Sequence, residues 1–504
     1  MSLALLFTRA QLGIDSPVVQ VEVHLSGGLP SLSLVGMPET AVKESKDRVR
    51  SAILNSHYEF PAKRITINLA PADLPKEGGR YDLPIALGIL MASGQIPEGS
   101  TDGCEFIGEL GLSGDLQSVT GVLPTALQAA RAGRNLVVPA INADEASLCR
   151  EGTIYSAKSL TEVTRWLHKQ NKLPEVEPVL HRTDQWQTSG DLSEVKGQAQ
   201  ARRALEIAAA GQHNLLFIGP PGTGKTMLAS RLPGILPPMS DDEALVSASV
   251  ASISHHSGDW QNRWGQRPFR APHHTSSGVA LVGGGGNPKP GEISLAHGGV
   301  LFLDELPEYS RKVLDVLREP LESGEIVISR ASRSVTYPAR FQLIAAMNPC
   351  PCGYHGDASG RCQCTPDQVR RYQGQTSGPL LDRIDLHVDV PPVSPALLQK
   401  APPSESSEAV QARVMNARNQ QLQRQGCVNA ELQGEMRDQV CQLSEMDQLW
   451  LLDAIERLNL SARSYHRLLS VARTLADLAS EEHISRVHLM EALGFRALDR
   501  YRMG

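Results

Sequence analysis

Apolar positions in the first third of the chain recur in two rhythms. The runs VVQVEVHLSG, RITINLA and NLVVPA are apolar at every second position or without a break, which predicts strands. Between them, ETAVKESKDRVRSAILNS, DLPIALGILMASG and VLPTALQAARAG are longer and read as helices. Their alternation predicts an α/β domain over residues 1–167. The short apolar patch Leu3–Phe7 predicts a first strand. No basic stretch precedes it and no small-residue cleavage site follows, so a secretory signal is not expected. The rhythm lapses in HKQNKLPEVEPVLHRTDQWQTSG, which is polar and carries prolines, so residues 168–190 are expected to be a linker. Strands and helices alternate again over 191–392, until PPVSPALLQKAPPSESSEA interrupts them. Residues 393–504 carry helical periodicity and few strand signals.

A chain of 504 residues is too long for one core and predicts two to four domains. No apolar run approaches a membrane span, so no membrane partner and a cytoplasmic location are expected. The net charge of −6 gives no global attraction to nucleic acid, and any contact with DNA must come from local basic patches.

One stretch has the spacing of a phosphate cradle. Gly219, Pro220, Pro221, Gly222, Thr223, Gly224, Lys225 and Thr226 spell G-x-x-x-x-G-K-T after the apolar run Leu215–Ile218 and before a helical pattern. The glycines let backbone N–H groups wrap the phosphates of ATP. Lys225 is expected to reach the β and γ phosphates, and Thr226 to ligate Mg²⁺. Further on, the buried-strand pattern Val300–Leu303 ends in Asp304 and Glu305. Asp304 would complete the Mg²⁺ shell, and Glu305 would activate the attacking water. A third strand, FQLIAAMN, ends in Asn348, whose amide can bond the γ-phosphate or that water.

Four of the eight cysteines follow at once: Cys350, Cys352, Cys362 and Cys364. In a cytosolic chain such a cluster points to metal rather than to disulfides. Two close thiol pairs can enclose one tetrahedral structural Zn²⁺, with His355 as a possible substitute ligand. Four thiolates would leave no open position for catalysis.

These motifs together resemble an AAA+ ATPase of the magnesium-chelatase/MCM-like branch. GPPGTGKT, LFLDE and AAMNP match its Walker A, Walker B and sensor 1, and DLSEVKGQ resembles the segment that borders the adenine. LLDRIDLHVDVP resembles the arginine-finger segment, which makes Arg383 the finger. SARSYHRLLSVARTLADLA resembles the sensor 2 helix, with Arg463 as the sensor. In such families the finger comes from a neighbouring subunit, so the resemblance implies a ring, usually a hexamer. Two inserts mark the branch. In RPFRAPHHTSSGVALVGGGGNPKPGEISLAHGG the glycines Gly283–Gly286 predict a mobile loop. EIVISRASRSVTYPARF resembles the pre-sensor 1 hairpin, with Arg330 and Arg333 at its tip. The resemblance implies that both inserts face a pore, where basic tips suit a strand's phosphates.

NLAPADLPKEGGRYDLPIAL and GELGLSGDLQSVTGVLPTALQAARAG resemble the Lon-protease-like domain. Arg80 stands where that family's serine belongs and Leu123 where its lysine belongs, so the nucleophile and its base are both missing. Lys76 and Arg80 instead give a basic loop, read either as a DNA contact or as a solvated face. From end to end the chain resembles the ComM/YifB family. That implies an N-terminal Lon-like α/β domain, an AAA+ core and a C-terminal helical lid. It also implies a homo-hexameric, ATP-driven motor on single-stranded and branched DNA that drives branch migration in natural transformation. Two rivals are a chelatase-type ATPase that remodels a protein partner and, against the missing dyad, an ATP-dependent protease.

Overall fold

The alternating runs of the first third assemble into one mixed sheet. In the computed structural model, which describes residues 3–36, 40–178, 190–254, 264–285, 288–330, 333–357, 360–393, 404–458 and 460–496, the chain divides into two units. The first unit holds β1 (Leu3–Arg9), β2 (Val18–Ser26), β3 (Ser31–Val35), β4 (Arg64–Ala70), β5 (Cys104–Phe106), β6 (Asn135–Pro139) and β7 (Ile154–Ala157). They lie in the order β3-β4-β2-β1-β5-β6-β7. β2 is antiparallel to β1 and to β4, and the other neighbours are parallel. The period of two in VVQVEVHLS turns Val19, Val21, Val23 and Leu25 inward. Helices α1 (Thr40–Asn55), α2 (Asp82–Ala92) and α3 (Val122–Arg131) come from the three helical runs. All but one residue of α2 is buried, as expected of a helix apolar all round.

One expectation is corrected here. Lys76 and Arg80 do not form an exposed basic loop: they are 0 % and 4 % exposed. Lys76 donates to the carbonyl of Pro71, and Arg80 donates to the carbonyls of Thr120 (2.5 Å) and Arg9 (3.4 Å). Burial lowers the pKa of both. Neither can offer its charge to a phosphate at the surface. In the glycine run, two of the four residues are held in regular structure. Gly283 and Gly284 pair with Pro290 and Lys289 in a small antiparallel ladder. A Cβ at Gly283 would meet the Lys289 carbonyl oxygen at 2.1 Å, so close strand approach explains this glycine. Gly286 lies outside the described residues. The first unit also takes in Leu245–Trp264 from the later chain. There Ser252 donates to buried Glu145, and its carbonyl accepts from Gly121 N–H at 3.3 Å.

The second unit is built on a parallel sheet of β8 (Leu215–Ile218), β9 (Phe269–Arg270), β10 (Val300–Leu303), β13 (Gln342–Met347) and β14 (Leu386–Asp389), with β11 (Glu325–Arg330) and β12 (Arg333–Pro338) forming a separate two-stranded ribbon. Its order is β9-β10-β13-β8-β14. Every residue of β8, β10 and β13 is buried, which is why these strands read as apolar runs apart from Gln342 at the start of β13. Its helices include α4 (Ala199–Gly211), α5 (Lys225–Arg231), α6 (Ser407–Gln425), α7 (Glu445–Arg457), α8 (Ala462–Leu478) and α9 (Arg486–Gly494). Leu205 and Ala208 of α4, Val414 of α6 and Ala472 of α8 share one core with Phe217 of β8. Buried polar groups tie the same layers: Gln342 donates to the carbonyls of Ala208 (2.8 Å) and His213 (2.7 Å), and His213 bonds Thr474 of α8 at 2.7 Å. No described helix is long and apolar enough to cross a membrane.

Candidate nucleotide site and cysteine cluster

β8, β10 and β13 end side by side, and their ends carry the polar groups that the motifs predict. Gly219 N–H donates to the carbonyl of Met347, fixing the start of the loop to the end of β13. A Cβ at Gly219 would stand 2.3 Å from the carbonyl oxygen of Val390. Lys225 opens α5 and is 8 % exposed. Its Nζ donates to the carbonyls of Gly219 (2.7 Å) and Pro220 (2.9 Å) and to Asn348 Oδ1 (3.1 Å). Burial lowers its pKa, while Asp304 and Glu305 oppose that shift. Thr226 Oγ1 donates to Asp304 Oδ2 at 2.7 Å. Hydroxyl and carboxylate thus stand together as two oxygen donors of the kind a hard divalent cation prefers. Asp304 Oδ1 accepts the backbone N–H of Glu305 at 2.9 Å.

Glu305 has φ of 51°, a left-handed conformation unusual for a residue with a side chain. Such strain concentrates at functional sites. His274 Nδ1 lies 3.0 Å from Glu305 Oε2. The sequence does not single out this histidine, although it stands in the first insert as half of a His-His pair. Its ring lies 4.2 Å from that of His273 and edge-on to Tyr309. Gln198, also unanticipated as an individual residue, donates to the carbonyl of Thr223 at 2.6 Å and so braces the loop from DLSEVKGQ.

The structure does not bring the two predicted arginines to this cluster. Among the described residues, neither Arg383 nor Arg463 bonds to residues 219–226. Arg383 is ion-paired with Glu322, and Arg463 Nη2 lies 4.0 Å from the same carboxylate. The ribbon β11–β12 pairs Arg330 with Arg333 in backbone register; residues 331–332 and both arginine side chains lie outside the described set. Tyr337 of β12 donates to the carbonyl of Pro288 at 2.7 Å, which packs the ribbon on the first insert.

The four clustered thiols do meet. Their sulfurs all lie within 4.8 Å of one another, with Cys350 buried and the other three partly exposed. The Cys350–Cys352, Cys350–Cys362 and Cys352–Cys362 separations are 3.3, 3.8 and 3.7 Å. His355 is not part of this group: its backbone N–H donates to Cys350 Sγ at 3.3 Å. Backbone N–H donation from Tyr354 brings the Cys352 thiol down to about 6. The loop also abuts the phosphate loop. A Cβ at Gly353 would meet Pro221 Cδ at 2.6 Å, and Gly353 has φ of 85°.

Comparison with known proteins places these features in a family. Models of the magnesium chelatase subunit ChlI match in three stretches: "Subunit ChlI of Mg-chelatase" over 21–142, "Magnesium chelatase, subunit ChlI" over 191–398, and its C-terminal model over 404–496. The chain is 53% identical to the protein YifB of Salmonella typhimurium over 501 residues, which is 99% of this chain and 98% of that one. It is 52% identical to the competence protein ComM of Haemophilus influenzae over 504 residues, again 99% and 98%. A magnesium-chelatase 38 kDa subunit of Cereibacter sphaeroides is 27% identical over 173 residues, 31% of this chain and 52% of that subunit.

Proposed function

The chain belongs to the ComM/YifB family of magnesium-chelatase-like proteins, and from that premise we propose that it is a Mg-ATP-hydrolysing motor subunit. It works as a homo-hexamer on single-stranded and branched DNA and serves DNA integration in natural transformation. The observation that carries the ATPase reading is the meeting of Lys225, Asn348, Thr226 and Asp304 at the ends of three parallel strands. Lys225 exchanges loop carbonyls for phosphate oxygens. Thr226 and Asp304 would hold a Mg²⁺ ion, which when bound neutralises charge on the β and γ phosphate oxygens. Glu305 accepts a proton from the attacking water, and Asn348 orients that water or the γ-phosphate. Arg383 acts on a neighbouring subunit's nucleotide, and Arg463 on its own.

The DNA half draws support from the competence protein that this chain matches over nearly its whole length, and from the two arginines paired at the ribbon's end. The first unit is read as a Lon-protease-like binding and ring-forming module without the Ser-Lys dyad, and the C-terminal helices as a lid. Purified protein is expected to turn over ATP faster with a synthetic four-way junction, and to resolve the junction only with hydrolysable ATP. Robust turnover indifferent to DNA would retire the DNA reading. It would favour a chelatase-type ATPase that remodels a protein partner, for which the chelatase subunit models speak.

Cys350, Cys352, Cys362 and Cys364 would hold one structural Zn²⁺. Zn–S bonds of about 2.3 Å set tetrahedral sulfurs about 3.8 Å apart, the scale of the separations found. Such an ion would clamp the loop that bears on Pro221. Elemental analysis is expected to find about one zinc per chain. Cys362→Ser is expected to lower the melting temperature by several degrees and to slow turnover. A metal-free protein of unchanged stability would refute the cage.

A further inference from the structure

Arg383 is stowed rather than displayed. It is 5 % exposed, its Nη1 donates to the carbonyl of Pro379 at 2.6 Å, and its Nη2 is bound to Glu322. Its buried Nε finds no acceptor among the described residues. A guanidinium with an unused donor is incompletely satisfied, so this is a resting place that a better acceptor can outbid. Glu322 belongs to a short helix, Pro320–Ser323, that runs directly into β11. Ser323 ties the junction, its hydroxyl lying 3.0 Å from the carbonyls of both Glu319 and Glu325 and donating to one at a time, and Ala339 N–H donates to the carbonyl of Gly324 at 2.8 Å. The carboxylate is therefore held at a fixed root while remaining 58 % exposed on its side chain. One partly solvated acid thus faces both arginines that the family resemblance assigns to the nucleotide.

We propose that Glu322 is a positioning residue for ATP hydrolysis: it holds Arg383 withdrawn, and Arg383 reaches a nucleotide only by exchanging this carboxylate for phosphate oxygen. The inference rests on the reading of Arg383 as a group that acts on nucleotide. The exchange is favourable in kind, because Glu322 engages only Nη2 of the guanidinium through one oxygen, whereas a phosphate offers two oxygens and more negative charge. It is feasible in size, because Glu322 is more than half exposed, so solvent screens its attraction, and a phosphate would take its place on the buried guanidinium rather than leave that charge unpaired.

The test uses the full chain with Glu322→Ala and Glu322→Gln. Without nucleotide, modification of Arg383 by an arginine-selective dicarbonyl, read by mass spectrometry, is expected to quicken roughly two- to fivefold, the hold such a pair exerts. With Mg-ATP, kcat is expected to rise by a similar factor with KM unchanged, and adding Arg383→Ala should cancel the gain. Unchanged labelling would overturn the proposal. So would a fall in kcat, which would make Glu322 an aiming group rather than a restraint, or a gain that survives Arg383→Ala. Wild-type protein without any turnover would instead sink the ATPase reading, and labelling would still report whether Glu322 holds the arginine.

Discussion

Lys225→Ala is expected to lose ATP turnover by roughly a hundredfold or more, the scale for removing one preorganised donor from a developing anion. The basis is geometric. Nζ sits where three acceptors converge, the carbonyls of Gly219 and Pro220 and the amide oxygen of Asn348. An ammonium has three donors, so all three are used, and the same three are available to phosphate oxygens. Burial works against the charge, but Asp304 and Glu305 work for it. The fold should survive the change. Three acceptors each lose a partner, worth about 1–3 kcal/mol apiece where water cannot replace it, but a buried cation is also removed. The decisive measurements are steady-state turnover and nucleotide binding, alongside a thermal melt. Turnover near the wild-type rate in a folded variant would end the phosphate-loop assignment. Lys225→Arg is expected to fail as well, since a planar fork does not fit three acceptors spread around a point charge.

What the sequence makes legible about this site is local. Ile218, Leu303 and Met347 close apolar runs of the length and composition of buried strands, and two of these runs give way at once to polar residues, Asp304 and Asn348. The glycine spacing of the phosphate loop encodes backbone geometry directly, and Gly222 and Gly224 do take positive φ. The cysteine pairs meet because their connecting segment is short.

What stays hidden is either non-local or runs against the usual habit of a residue type. The pairing of His274 with Glu305 spans two elements with no shared periodicity. Strand order, with β8 between β13 and β14, depends on crossovers that no single segment encodes. Lys76 and Arg80 read as exposed because charged side chains almost always are. Here carbonyls of Pro71, Thr120 and Arg9 take their donors inside the first unit. Arg383 is legible as a candidate finger from the resemblance of its segment, but its partner Glu322 is not. Nothing in LESGE distinguishes that glutamate from an ordinary surface acid.

Glu305→Gln is expected to keep nucleotide binding and to slow hydrolysis by roughly 10²–10⁴-fold, the usual contribution of a positioned general base. Binding should persist because the change leaves Lys225, Thr226 and Asp304 untouched, and Asp304 still receives the backbone N–H of residue 305. The backbone should also keep its course. Residue 305 holds φ of 51°, and its carbonyl accepts from Glu308 N–H at 2.8 Å, so a short turn, not the carboxylate, maintains the conformation. Glutamine has the same length and branching, and can still bond His274 Nδ1, now 3.0 Å from Oε2. What it lacks is an anionic oxygen able to take a proton from water. Single-turnover kinetics separate this from a binding defect: the bound nucleotide should accumulate unhydrolysed. Hydrolysis within about threefold of wild type would fall short of any general-base contribution. The proton acceptor would then have to be sought elsewhere in the cluster, and the strained backbone at 305 would need another purpose.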